Sequence, residues 1–384
     1  MHYPDTLTSK LPEAGTTIFA IMSKLANEHN AINLSQGFPD FECSEELISL
    51  VNKYMKKGYN QYAPLEGVPV LREAITEKVE KLYSAKYHPQ KEVNVTAGAT
   101  LAIYSAITAI IKDGDEVIIF EPAYDCYVPS IELNNGIAVY ARLEPPGYNI
   151  QWDNVKKLIS PKTRMIIINT PHNPCGSIMS AQDMLNLQKL TENTNIIIVS
   201  DEVYEHIIFD GHEHQSVMRY PGLAERSFVI FSFGKTFHAT GWKMGYCLAP
   251  ENLMKEFRTV YQFIIFTCFS PVQYALAEFL SNKNNYMELP DFYQKKRDYF
   301  NALIKNSRFK LEPALGSYFQ LLNYSGITDE KDTDYAIRLT KETGVASIPM
   351  SVFYHDKVDN KMLRFCFAKK EETLEKAAEN LCRI

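Results

Sequence analysis

The sequence predicts an α/β fold, a mostly parallel sheet covered by helices on both faces, followed by a smaller α+β domain. Three observations carry this. The middle of the chain alternates short apolar runs with helix-like stretches. Those runs are apolar throughout, the pattern of strands buried on both faces. The last hundred residues change to longer amphipathic helices with isolated strands between them. Strands separated by helical patterns indicate parallel α/β units.

The elements follow in order. Val93–Ala97 reads as a strand; Gly98 and the Ala-, Leu- and Ile-rich helix Thr100–Lys112 come next. Further strands are expected at Glu116–Phe120, Arg164–Asn169, Asn195–Ser200, Ser227–Ser232 and Met244–Ala249. Beyond a division near residue 285, Leu289–Asn306 reads as a charged amphipathic helix and Gly316–Leu322 as a strand. Asp334–Thr343 reads as a helix, Met362–Ala368 as a strand and Glu371–Leu381 as a closing helix.

Composition narrows the function classes. The 384 residues suggest about two or three domains. A 46% hydrophobic and 22% charged content suits a soluble globular enzyme. The net charge of −6 gives no global electrostatic case for nucleic acid, and no basic helix-turn-helix extension marks a regulator. Seven dispersed cysteines without a CxxC pair support neither a zinc ribbon nor a disulfide framework, and point to the reducing cytoplasm. The polar opening, residues 1–15, lacks the apolar core of a signal peptide, and no apolar run approaches the ~18 residues of a membrane span.

In open parallel sheets ligands collect at the carboxyl ends of strands. Here those ends carry Gly98 in TAGAT, Tyr124 in EPAYDCY, Asn173 in NTPHNPCG, Asp201 in SDEVY, and Ser232 leading into SFGKTFHATGWKMGY. Together they offer helix N-terminal amides, an aromatic ring, an amide, an acid and a lysine. A shared pocket of this kind suits a flat, anionic, electron-poor ligand. Gly-Lys-Thr at 234–236 is not a P-loop, because the glycine required five residues before Gly234 is Val229. His212 and His214 around Glu213 lack the i, i+4 spacing of a helical zinc site and read as a solvated turn.

These strings, together with NLSQGFPDF, NQYAPLEG, IPMSVFY and LRFCFAKKEETL, resemble the fold-type I pyridoxal-phosphate aminotransferases, in the methionine and kynurenine aminotransferase branch. The resemblance spans nearly the whole chain, and its specificity lies in the order and spacing of the strings. It implies a seven-stranded sheet in a large domain of residues 45–285, with 1–44 and 286–384 forming the small domain.

Residue roles follow from the same resemblance. Lys235 would form a Schiff base with pyridoxal 5'-phosphate and carry the Cα proton. Asp201 would pair with the cofactor ring nitrogen, since opposite charges favour each other's ionised forms. Tyr204, expected one helical turn beyond it, and Asn173 would bond the phenolic oxygen, while Tyr124 would stack on the ring. Gly98, Ala99 and Thr100 at a helix N-terminus, with Ser232 and Lys243, would hold the phosphate. Tyr62 would reach the phosphate of the neighbouring subunit, which makes the unit a homodimer. Arg364 would grip the substrate α-carboxylate in two hydrogen bonds, with Gly37 allowing close approach.

Two departures from the family stand out. Lys243 replaces a common arginine, and Gly234 a common serine, removing one phosphate hydroxyl. Side-chain selection would fall to Phe19, Phe38, Tyr62, Tyr124, Phe263 and Phe353. Phe19 and Thr267 stand where kynurenine-acting members often carry Trp and His, which moves the expected donor toward methionine. The expected reaction is a ping-pong transfer from an apolar, thioether or aromatic amino acid to a 2-oxo acid. Cysteine S-conjugate β-elimination and kynurenine transamination stay open as alternatives, and no metal is expected.

Overall fold

The computed structural model describes residues 6–12 and 14–384. Residues 1–5 and 13 lie outside the described residues, and with them part of the polar opening and of the 1–44 segment.

The described residues contain twelve strands: β1 (Ile32–Asn33), β2 (Val93–Thr96), β3 (Glu116–Glu121), β4 (Ile137–Arg142), β5 (Thr163–Asn169), β6 (Ile197–Asp201), β7 (Ser227–Ser232), β8 (Gly245–Leu248), β9 (Phe319–Asn323), β10 (Val345–Ala346), β11 (Ile348–Pro349) and β12 (Met362–Cys366). Seven form the main sheet in the order β2-β8-β7-β6-β5-β3-β4. All its pairings are parallel except those of β8, which runs antiparallel to both β2 and β7. The six strands expected in this region are present, with ends moved by one or two residues. The expected C-terminal elements are present too, with Leu339–Thr343 forming a π-helical turn after the helix Asp332–Arg338.

Strand β4 is an addition. It lies at the sheet edge with only Ala141 buried, so it lacks the continuous apolar signature of the interior strands. Strands β11, β12 and β9 make a separate antiparallel sheet. Strand β1 pairs in parallel with β10, tying the N-terminal segment to the C-terminal part of the chain.

The first four helices are α1 (Ile18–Glu28), α2 (Glu45–Lys56), α3 (Pro69–Tyr83) and α4 (Ala99–Ile110), of which α1 and α4 border the site. Thr17 caps α1 and Ser44 caps α2, each accepting a bond from a first-turn amide. Helix α4 follows β2 through Gly98, whose φ of 84° suits a glycine. No helix of the described residues is long and apolar enough to cross a membrane.

Behind the end of β6 lies a buried polar cluster. Lys78 on α3 donates to Glu205 and, at 3.0 Å, to the Tyr246 hydroxyl; Tyr83 also donates to Glu205. Burial alone would raise the Glu205 pKa, but Lys78 and His206 beside it, with the Lys78 and Tyr83 bonds, bring it down to about 2. This acid therefore contributes stability above its unfolded value of ~4.3, and that contribution is lost as pH falls toward 2. Glu205→Gln leaves the Lys78 charge buried without its counterion. The expected cost is about 3–5 kcal/mol, read from denaturant unfolding at pH 7. A loss below 1 kcal/mol would show that the pair is not ionised.

Candidate active site

The carboxyl ends of β3, β5, β6 and β7 converge with the start of α4, the 35–37 loop and β12 on one cavity of about 280 Å³. At its base, β6 ends in Asp201, which is buried. Burial raises its pKa to about 6, against the effect of a 2.6 Å hydrogen bond donated by the Tyr127 hydroxyl. An acid buried at this cost is suited to face a cation.

The chain beyond Asp201 makes a turn, not the expected helix. The Glu202 amide continues the sheet by donating to Ile230, and the Ile207 amide closes on the Tyr204 carbonyl at 2.7 Å. Tyr204 reaches the cavity from this turn. His214 is also not a solvated turn residue. It is buried, with Nε2 2.7 Å from a Glu202 carboxylate oxygen, while His212 is exposed.

One wall is cationic. Lys243 has a left-handed backbone, and its side chain lies across Gly98. A Cβ at residue 98 would stand 3.2 Å from Lys243 Cε and 3.4 Å from Nζ. The ammonium therefore sits at the N-terminus of α4, beside the free amides of Ala99 and Thr100. A helix N-terminus and a fixed cation together make an anion cradle. Ser232 caps the one-turn helix Phe233–Thr236 by accepting from the Lys235 amide. Gly234 has a steric reason as well. A Cβ there would stand 3.1 Å from both the Ala239 carbonyl oxygen and Thr240 Cα. Thr240 lines the same side of the cavity.

Lys235 lies within that helix, its amine buried in the cavity. Burial lowers its pKa to about 8. The amine donates to the Tyr318 hydroxyl at 2.8 Å and to the Gly37 carbonyl at 3.0 Å. Tyr124 lines the cavity and packs edge-on against Tyr127 at 5.9 Å.

The opposite wall holds Arg364, on β12, 1% exposed. Its guanidinium donates to Asn173 Oδ1 at 2.7 Å and to the Ser35 carbonyl at 3.0 Å; its Nε has no partner. The group lies 3.9 Å from the Phe319 ring centre, with the Phe19 and Phe353 rings at 5.3 and 5.4 Å. Burial pulls its pKa down to about 10, so the charge persists at neutral pH.

The structure thus brings together Phe19, Gly37, Gly98, Ala99, Thr100, Tyr124, Asn173, Asp201, Tyr204, Ser232, Lys235, Lys243 and Arg364 around one cavity. Four expected pocket aromatics stand apart in the single chain. Phe38, Tyr62 and Phe263 are exposed, Tyr62 at 82%, and Phe353 is buried behind Phe19 and Arg364. Tyr127, Tyr318, Phe319 and Gln36 are additions. Gln36 donates to the Phe19 carbonyl at 2.9 Å and to Ser23 Oγ at 2.6 Å, pinning α1 over the cavity. Tyr127 in EPAYDCY and Gln36 in NLSQGFPDF stood inside strings already singled out, whereas Tyr318 and Phe319 did not.

Comparison with known proteins agrees with this geometry. Residues 29–381 match the family model described as aminotransferase class I and II. The chain is 47% identical over 377 residues to a methionine aminotransferase of Escherichia coli K12, covering 98% of each protein. It is 33% identical to human kynurenine–oxoglutarate transaminase 1, covering 93% of each. The crystal structure of an Escherichia coli protein assigned a methionine aminotransferase function superposes with a TM-score of 0.97 at 46% identity, covering 99% of this chain and all of that one. The N-succinyldiaminopimelate aminotransferase of Mycobacterium tuberculosis superposes with a TM-score of 0.95 at 33% identity, covering 98% and 100%. The chain belongs to the class I and II aminotransferases, pyridoxal 5'-phosphate enzymes that move an amino group between an amino acid and a 2-oxo acid.

Proposed function

We propose that the amino donor is methionine or a similar apolar amino acid, and that the residues of this cavity carry the transfer in the roles expected above. The observation that carries the donor reading is the shortage of spare cations. Among the described residues the cavity holds only Arg364, Lys235 and Lys243 as cationic groups, while Phe19 and Phe319 supply its apolar wall. With Arg364 on the α-carboxylate and Lys243 on the phosphate, an acidic side chain would find no cation of its own. The Escherichia coli relative, a methionine aminotransferase, supports the same reading.

The residues fit the cofactor. Lys243 packed on Gly98 makes an anion cradle at the end of α4, and Asp201 is a buried acid suited to a cationic ring nitrogen. Lys235 is an amine of lowered basicity between them. When bound, the cofactor supplies an aldehyde carbon for the amino group and a ring that draws off electrons. Arg364 then fixes the substrate, its unpartnered Nε turning to the carboxylate. Lys235 takes the Cα proton and returns it, with a pKa close to working pH, where such a carrier is most effective. Phe19 and α1, held by Gln36, shield the exchange from water.

The test is a panel of methionine, phenylalanine, tyrosine, kynurenine, glutamine, glutamate and aspartate against several oxo acids. Methionine is expected to lead in kcat/KM by at least tenfold over glutamate and aspartate, roughly the selectivity of a hydrophobic pocket. A preference for either acid would overturn the reading. Release of pyruvate and a thiol without an acceptor would favour β-elimination.

The same reading includes a homodimer in the cytoplasm, with residues 45–285 as the large domain and 1–44 with 286–384 as the small one. The pairing of β1 with β10 supports that division, and seven unpaired cysteines support a reducing compartment. Exposed Tyr62 packs edge-on against exposed Phe266 at 5.2 Å, and Phe263 and Phe269, three residues to either side of Phe266 in the chain, are exposed as well. Exposed aromatics of this kind suit a second copy of the chain, with Tyr62 directed to the partner's phosphate site.

A further inference from the structure

The mechanism leaves one polar contact in the cavity unused. Tyr318 precedes β9 and is fully buried between Tyr204, Tyr293 and Phe319, with ring centres at 5.1, 5.9 and 4.9 Å. Its hydroxyl donates to the Gly37 carbonyl and accepts from Lys235 Nζ at 2.8 Å. The same amine donates to that carbonyl at 3.0 Å, so amine, phenol and carbonyl close a three-membered ring of hydrogen bonds. Two acceptors meet the amine from elements far apart in the chain.

We propose that Tyr318 and the Gly37 carbonyl form a seat for the Lys235 amine, occupied during the half of the cycle in which the lysine is not joined to the cofactor. Tyr318 is thereby a positioning residue that sets the balance between the two enzyme forms. The proposal rests on the assignment of Lys235 made above. Each forward half-reaction takes up one water, releases the lysine amine, and passes the amino group to the cofactor as the amino acid leaves as its 2-oxo acid. The seat contributes only after release. Removing the Tyr318 hydroxyl costs its bonds to Gly37 and Tyr204 in both forms, but its bond to the amine in the released form only, and so returns the balance to the lysine-linked form. Burial supports this need for acceptors, since the amine also faces Arg364 and Lys243, with Cys366 and Asp201 as its other charged or titratable neighbours. Tyr204 completes the surroundings.

The experiment uses holoenzyme equilibrated with the donor that the panel ranks first and with that donor's own 2-oxo acid. The ratio of the two cofactor forms is read from their absorbance. This is an equilibrium position, which a loss of rate does not mimic. Tyr318→Phe keeps the ring packing and is expected to shift the half-reaction constant at least about threefold toward the lysine-linked form, the loss of one net hydrogen bond. The control is Tyr293→Phe, a neighbouring buried tyrosine whose hydroxyl has no partner; its constant is expected to stay at the wild-type value. A smaller shift in Tyr318→Phe, or an equal one in Tyr293→Phe, would overturn the seat. Interconversion that survives Lys235→Ala would instead overturn the Lys235 assignment, and the seat with it.

Discussion

Lys235→Ala is expected to lower kcat by about 10⁴-fold or more, the upper range for a positioned proton carrier, and to abolish the absorbance of the lysine-linked cofactor. Two features of the structure make the effect this large. The amine is buried, and burial brings its pKa from 10.5 to about 8, so a usable neutral fraction exists near neutral pH. Its surroundings also offer no substitute base. Asp201 has its carboxylate engaged by Tyr127 and the Val203 amide, and Tyr204 is held well above the ordinary phenol range by burial. Lys243 lies against Gly98 on the cationic wall. Steady-state kinetics and an absorbance spectrum check both halves of the expectation. Retention of the spectrum with normal turnover would refute the assignment.

The second large effect belongs to Asp201→Asn, where kcat/KM is expected to fall by about 10²–10³-fold, the range for loss of one preorganised electrostatic group. The substitution keeps shape, and Asn can still accept from Tyr127, so the loss reports charge. Stability is expected to move the other way. An acid whose folded pKa is raised penalises the folded state at pH above about 6, and that penalty disappears as pH falls below the unfolded value. Asparagine carries no such charge. The thermal midpoint of the cofactor-free variant at pH 8 is therefore expected to equal or exceed that of the wild type, with the gap closing by pH 4. A lower midpoint at pH 8, or unchanged kinetics, would contradict a buried functional carboxylate. Such an exchange of stability for charge placement is common at active sites.

These residues differ in how visible they are before the fold is known. The interior strands announce themselves because both faces are buried, leaving runs such as Met165–Ile168 without a polar interruption. Strand β4 does not, because only one of its six residues is buried. Asp201 and Lys235 were legible through their strand ends and the strings around them. The turn after Asp201 was not, since its conformation depends on the Glu202 amide finding Ile230 on the neighbouring strand. Tyr318 was hidden for another reason. A tyrosine next to a phenylalanine within an expected strand reads as core, and its chemistry appears only when Gly37 is folded against it from the other end of the chain. Tyr62 and Phe263 show the converse, aromatics expected in a pocket that the single chain leaves in solvent.

With Arg364 in the proposed role, its packing would also decide which molecules are refused. Its positive charge is walled in by Phe19, Phe319 and Phe353, and its Nε is left without a protein partner. A decarboxylated amine of the same length would seal that charge from water with no counterion opposite. Sites built around such a bond reject ligands lacking the partner group by about 10⁴–10⁵-fold. In its proposed role Arg364 would therefore admit zwitterions and turn simple primary amines away, whatever side chain they carry.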